Sequence, residues 1–272
     1  MQFSDLYRAV RIVNSTMAAL AVFVGASIAT VSFATQWPVL IGMIAAFLVC
    51  AAGQIINDFF DFEIDLKKGK KKYESVTKEN KQQLLWIAIV FFVIGNALAL
   101  FINQNAFLIA IGITVLLIIY SSVLQKQKWL GNLVVALGTA LPLVFGAAVF
   151  GDFVVIVWLA ASAFLANWAR EIVKDVEDLE ADEGKKTTLP MLFKMSTIDS
   201  IVAMLVFLAI VLSYAPVFLN LFGNSYFLFL VTIASILFLK AFWEFRSFKA
   251  KKAQQSFKIA MAIALLGFLL GI

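Results

Sequence analysis

Long stretches of this chain carry no charge, and that limits its fold more than any other feature. Asp, Glu, Lys and Arg are absent from Ile12 to Gln36, Trp37 to Ile56, Gln82 to Gln125 and Trp129 to Gly151. A helix crosses the hydrocarbon core with about 20 apolar residues. Several of these runs therefore hold one span each, and the run from Gln82 holds two. Spans this long must be helical, because unpaired backbone groups are too costly in lipid. The expected fold class is all-α: a polytopic membrane protein. Composition agrees, since 62% of the residues are hydrophobic and 14% are charged, against about 25% charged in a soluble domain.

Nine transmembrane helices are expected, at roughly 11–33, 38–60, 82–102, 105–124, 130–150, 153–172, 197–219, 225–243 and 255–272, forming one domain over 1–272. Turn chemistry separates them at Asn103-Gln104-Asn105, Gly151-Asp152 and Leu221-Phe222-Gly223-Asn224. Trp37, Trp86, Trp129 and Trp243 fall near span ends, where interfacial anchors sit. The first span is too long for a signal-peptide core and lacks a small-residue cleavage site, so it is expected to be retained.

All 22 Lys and Arg residues fall on one side of this arrangement. They occupy the N-terminal segment (Arg8, Arg11) and alternate loops: Lys67 to Lys81, Lys126 and Lys128, Arg170 to Lys194, and Lys240 to Lys258. The other loops hold a single charge, Asp152. The positive-inside rule places the N-terminus in the cytoplasm and the C-terminus outside a cell membrane. A net charge of +5 that lies in loops between spans suits anionic headgroups and diphosphates rather than nucleic acid. With one cysteine, Cys50, the chain forms no internal disulfide, and with no histidine any metal must be held by oxygen.

Two acidic segments match. Asn57-Asp58-Phe59-Phe60-Asp61-Phe62-Glu63-Ile64-Asp65 and Lys174-Asp175-Val176-Glu177-Asp178-Leu179-Glu180-Ala181-Asp182 carry aspartates, and one glutamate, at identical offsets 117 residues apart. They end the second and sixth spans, so both reach the same side. Asn14 and Asn132 open the first and fifth spans 118 residues apart. Together these suggest a parallel four-helix repeat. Offsets of three and seven put Asp58, Asp61 and Asp65 on one helical stripe, and Asp175, Asp178 and Asp182 on another, with Glu63 and Glu180 pointing away. Acids at one helix end are usually just solvated charge. Two matched stripes at one membrane face repel unless a cation neutralises them, and oxygen ligands plus a diphosphate are what magnesium prefers.

These residues resemble the UbiA superfamily of intramembrane prenyltransferases. Asn57 to Asp65 matches its first box, N-D-x-x-D-x-x-x-D, and Asp178 to Asp182 matches its second, D-x-x-x-D. Arg11-Ile12-Val13-Asn14 looks like the family's Arg-Pro-x-Asn start, with Ile12 in place of proline. Tyr120, followed by Gly131-Asn132, is similar to its tyrosine-lysine segment and Gly-Asn start of the fifth span. Arg170-Glu171-Ile172-Val173-Lys174-Asp175, with Thr188-Leu189-Pro190, looks most like the branch that geranylgeranylates geranylgeranylglyceryl phosphate in ether-lipid synthesis. The chain departs from the pattern in two places. Lys67-Lys68-Gly69-Lys70-Lys71-Lys72 replaces the usual Arg-Pro stretch after the first box, and the lysine after Tyr120 is offset to Lys126.

The resemblance implies magnesium-dependent transfer of a prenyl group from its diphosphate to a lipophilic acceptor. It implies a Mg²⁺ cofactor held by Asn57, Asp61, Asp65, Asp178 and Asp182, with Asp58 and Asp175 in or just behind the ligand set. Asp61, Asp178 and Tyr120 are the implied catalytic residues. Arg11, Asn14, Lys126, Arg170, Lys174 and Lys185 are the implied substrate contacts, although positive-inside charge explains Lys185 equally well. Prenylation of an aromatic quinone precursor is the alternative within the family. A transporter is the alternative outside it, but there the acids belong at the midplane rather than at one face. A purely structural membrane protein has no use for two matched boxes. Prenyl length and oligomeric state are left open.

Overall fold

The computed structural model describes residues 2–67, 72–124, 128–179 and 187–272, and the side chains of all of these except Ile64, Lys67, Lys128 and Trp129. A short helix, α1 (Phe3–Val10), precedes nine long ones: α2 (Ile12–Thr30), α3 (Trp37–Lys67), α4 (Gln82–Ile102), α5 (Gln104–Ser122), α6 (Lys128–Ala148), α7 (Ile156–Glu177), α8 (Met195–Phe218), α9 (Ser225–Arg246) and α10 (Ala250–Leu270). Among the described residues, α2 to α10 are the nine helices long and apolar enough to cross a membrane. They fall on the nine expected spans, within a few residues at each end except where α3 runs on beyond residue 60.

The first span starts as a helix separate from the N-terminal α1. Arg11 adopts a left-handed backbone, φ 44°, that breaks α1 from α2. Helix α3 is 31 residues long, or about 46 Å at 1.5 Å per residue. That exceeds the roughly 30 Å hydrocarbon core, so its acidic end projects beyond the lipid. Helix α3 ends in Lys67 and runs on past its box. Helix α7 ends inside its box, at Glu177, with Asp178 as its C-cap. The second stripe is therefore not a continuous helix to Asp182, as the spacing suggested; Asp182 itself lies outside the described residues.

The helices form two similar groups. In each, the second helix packs on the first and third: α3 on α2 and α4, and α7 on α6 and α8. Helix α6 contacts α3 and α5 of the first group, and α10 contacts α7 and α9 of the second. Asparagine caps repeat the correspondence. Asn103 caps α5 by accepting from the Ala106 N–H, and its amide donates to Ala148 O at the end of α6. Asn224 caps α9 by accepting from the Phe227 N–H, and its amide donates to Leu270 O at the end of α10.

The groups meet where α2 crosses α6. A Cβ on Gly25 would lie 2.1 Å from Leu143 O, and one on Gly146 would lie 2.1 Å from Val22 O. Backbone touches backbone there, which only glycine allows; lipid offers no hydrophobic drive between helices, so such close packing supplies the attraction. Within groups, buried polar pairs add to it: Asn96 donates to Thr114 between α4 and α5 at 2.9 Å, and Ser162 to Ala209 O between α7 and α8 at 2.8 Å. Large apolar side chains such as Val93, Phe207 and Phe229 are exposed and make the lipid-facing surface.

Candidate active site

Asp58, the second residue of the first box, is 3% exposed. A buried carboxylate needs cations and donors, and three residues on two segments supply them. Arg11, at the α1–α2 break, donates to its Oδ1 at 2.9 Å. Lys72 donates to the same oxygen at 2.9 Å, and Tyr73 donates its hydroxyl proton to Oδ2. Lys72 also reaches Asp65 Oδ2 at 3.0 Å. Burial alone would pull the Lys72 ammonium below its ordinary pKa, but Asp58 and Asp65 outweigh it and hold the group above 10.5. Burial, then Asp58, pushes the Tyr73 phenol above 10.

Helix α1 holds this loop in place. Asp5 is fully buried, and its carboxylate accepts from the backbone N–H groups of Glu74 at 2.9 Å and Ser75 at 2.8 Å, and from the Ser75 hydroxyl. Arg8 pairs with Glu74 at 2.9 Å. Burial opposes ionisation of Asp5, but the Ser75 hydroxyl and the two amides prevail and lower its pKa below 3.8. Asp5 and Tyr73 escaped the sequence reading, because their partners lie 70 and 15 positions away and no local spacing marks them.

The remaining residues of the first box lie nearer the surface. Asn57, Asp61 and Asp65 are half-buried. Glu63 is exposed and pairs with Lys81 at 2.7 Å, pointing away from the stripe as its spacing predicts. In the second box Asp175 is fully buried and accepts from Asn132 at 2.5 Å, while Asp178 is half-buried. Each box thus has a buried aspartate gripped by the start of the neighbouring helix, with half-buried Asp61 and Asp65 beyond it in the first box and half-buried Asp178 in the second.

Arg170 and Lys174 sit on α7 ahead of the second box. Arg170 donates to Asn167 at 3.1 Å and Glu171 at 2.5 Å, and Lys174 lies 4.0 Å from Glu171. Among the described residues Arg170 Nε is buried with no hydrogen-bond partner. Asn14 is not at the acids. Its amide bonds Gln54 at 3.2 Å, and Gln54 bonds Ser15 at 3.2 Å. Tyr120 is half-buried near the end of α5. Lys126, Asp182 and Lys185 lie outside the described residues.

Among the described residues, no three Asp, Glu, Cys or His form a ready-made metal cage. Magnesium does not need one: it takes one or two carboxylates, water and phosphate oxygens. The Lys72 ammonium is the test of fit. One cation already sits within 3.0 Å of both Asp58 and Asp65, so the first box brings two hard oxygens to a single positive centre. Beside it lies a cavity of about 490 Å³ bounded by Asp58, Asp65, Lys72, Tyr73, Thr77 and Lys78. A second, apolar cavity runs between α2, α3, α5 and α6, past Ala18, Cys50, Leu117, Gly138 and Phe145. Gln54 and Asn14 form a polar seam at its Cys50 wall.

Known proteins share this architecture. The pattern of the UbiA prenyltransferase family matches residues 18–266. The chain is 32% identical over 274 residues to the digeranylgeranylglyceryl phosphate synthase of Thermococcus kodakarensis, covering 99% of this chain and 98% of that one. It superposes on a solved structure of a digeranylgeranylglyceryl phosphate synthase with a TM-score of 0.87 at 30% identity, over 98% of this chain and 97% of that one. A UbiA homolog from Archaeoglobus fulgidus, solved bound to GPP and Mg²⁺, has the same fold at 18% identity, with a TM-score of 0.67 over 98% and 99% of the two chains.

Proposed function

Because this chain belongs to the UbiA prenyltransferase family, and is therefore a multi-pass membrane prenyltransferase, we propose that it geranylgeranylates geranylgeranylglyceryl phosphate, the second ether-forming step of an isoprenoid phospholipid. The observation that carries the acceptor is the full-length similarity to digeranylgeranylglyceryl phosphate synthases. Two local features support it. The loop after the first box is strongly basic, and Arg170 keeps a buried unmatched donor; both suit an anionic headgroup.

Asn57, Asp61, Asp65, Asp178 and Asp182 would hold the metal, with Asp58 and Asp175 in or just behind the ligand set. Magnesium, when bound, supplies positive charge where the leaving diphosphate develops negative charge. Arg11, Lys126, Arg170, Lys174 and Lys185 add fixed cations around the phosphate oxygens. The apolar cavity between α2, α3, α5 and α6 takes the prenyl chain and keeps water from the allylic carbon. Tyr120 offers its ring face to the allylic cation. The one-sided placement of Lys and Arg supports a cytoplasmic active site and N-terminus.

A panel of acceptors supplied with geranylgeranyl diphosphate and read by mass spectrometry tests the assignment. The expected product is the doubly prenylated glyceryl phosphate, formed only with divalent metal. Prenylation of an aromatic acid or quinone precursor, with glyceryl phosphates ignored, overturns the acceptor and leaves the family standing.

A further inference from the structure

We propose that Lys72 is a built-in counter-cation of the first box: a divalent ion can use Asp58 and Asp65 together only by displacing the Lys72 ammonium. This rests on the reading above that the box takes a metal. Asp58 and Asp65 lie two helical turns apart on α3, yet Asp58 Oδ1 at 2.9 Å and Asp65 Oδ2 at 3.0 Å converge on one nitrogen. A magnesium ion held by these same two oxygens would need the space the ammonium fills, so at this pair of oxygens one cation would exclude the other.

The surroundings allow the side chain to leave without the loop. The neighbouring Tyr73 hydroxyl is held by the other Asp58 oxygen, and the Glu74 and Ser75 amides are held by Asp5. The backbone beside Lys72 is therefore anchored at three successive residues, while Lys72 itself is 41% exposed. A lysine is suited to this: a compact charge on a flexible four-carbon stem, without the planar fork that fixes arginine on a carboxylate. Once displaced, the ammonium stands at the rim of the cavity that Thr77 and Lys78 also bound, where the complementary partner is an anion. Diphosphate would stabilise the displaced Lys72 and so favour metal entry. By linkage, metal would favour diphosphate to the same degree. The chain thus binds free metal weakly and binds metal with diphosphate cooperatively, which withholds the ionising cation until its substrate is present.

The test is Mn²⁺ binding to the purified full-length protein in nanodiscs, followed by electron paramagnetic resonance, with and without inorganic pyrophosphate. In wild type, Mn²⁺ alone should bind weakly and pyrophosphate should tighten it. Lys72→Met should bind Mn²⁺ alone about tenfold more tightly, the size expected for removing two partly exposed ion pairs, and should lose most of the pyrophosphate effect. Lys72→Arg keeps the charge and should resemble wild type with Mn²⁺ alone. Asp5→Asn, which frees the loop, should move Mn²⁺ affinity in the same direction as Lys72→Met. Equal or weaker Mn²⁺ binding by a monodisperse Lys72→Met protein overturns the counter-cation role and spares the metal site. Wild type that binds no Mn²⁺ even with pyrophosphate overturns both.

Discussion

Asn132 Nδ2 donates to Asp175 Oδ2 at 2.5 Å, with both side chains buried. The pair ties the start of α6 to the end of α7, as Arg11 ties the start of α2 to Asp58 on α3. In the first half a charged donor meets the buried carboxylate; in the second a neutral one does. Removing a donor from a buried carboxylate costs about 1–3 kcal/mol. Asn132→Leu should therefore lower the temperature at which the detergent-solubilised protein loses its monodisperse elution peak. An unchanged temperature removes this hydrogen bond from the account of stability.

The half-buried aspartates should matter for rate, and the outward glutamate should not. Losing a group that stabilises transition-state charge typically costs about 3–4 kcal/mol, or roughly 10²–10³ in rate. Asp61→Asn and Asp178→Asn should lose activity by that order, with only partial rescue by excess magnesium. Glu63 is exposed and paired with Lys81, so Glu63→Gln should stay within several-fold of wild type. Equal damage from Glu63→Gln means the box acts through bulk negative field rather than as a ligand set.

Asp5 makes the loop sensitive to acid in a defined direction. Its carboxyl is held below 3.8 in the folded chain, so the unfolded chain protonates first as pH falls. The stabilisation is present above about pH 3.8 and is lost as pH falls through the lowered value. Hydrogen exchange at the Glu74 and Ser75 amides reads it directly. Relative to the ordinary rise and fall of exchange with pH, their protection should hold from pH 8 to 5 and vanish only below about pH 3.8. Asp5→Asn should expose both amides at neutral pH; retained protection there would mean that Tyr73 and Arg8 suffice to hold the loop.

Gly138 borders the apolar cavity, and a Cβ built on it meets nothing within 4 Å. Gly138→Ala should therefore be tolerated, and helix propensity favours it by up to about 1 kcal/mol. Gly138→Phe should fill the cavity and lower turnover of geranylgeranyl diphosphate more than that of geranyl diphosphate. A proportional loss for both donors would place the prenyl chain elsewhere.

Orientation can be read by labelling. Glu79 and Gln104 are both exposed, beside α4 and at the start of α5. In a Cys50→Ala background, Gln104→Cys should react with a membrane-impermeant thiol reagent in intact cells and Glu79→Cys should not. The reverse pattern would put the active site outside.

The sequence by itself determined the membrane class, the spans, the repeat and the first acid stripe. These follow from local quantities: runs without charge, period 3.6, and a repeated spacing of 117. It also marked Arg11 beside the first box and Arg170 beside the second. Only the tertiary structure decided which aspartates are buried and what neutralises them. Asp58 and Asp61 share a stripe and a residue type, yet one is gripped by Arg11, Lys72 and Tyr73 and the other is half-buried. Asn14 and Asn132 occupy equivalent places, yet the first bonds Gln54 and the second Asp175. Asp5, with no motif of its own, holds the loop that carries two of those partners. Burial and charge pairing depend on which segments meet across dozens of positions, and no local pattern encodes that. The helix ends were decided the same way: α3 carries its box on to Lys67, while α7 ends at Glu177, inside its own.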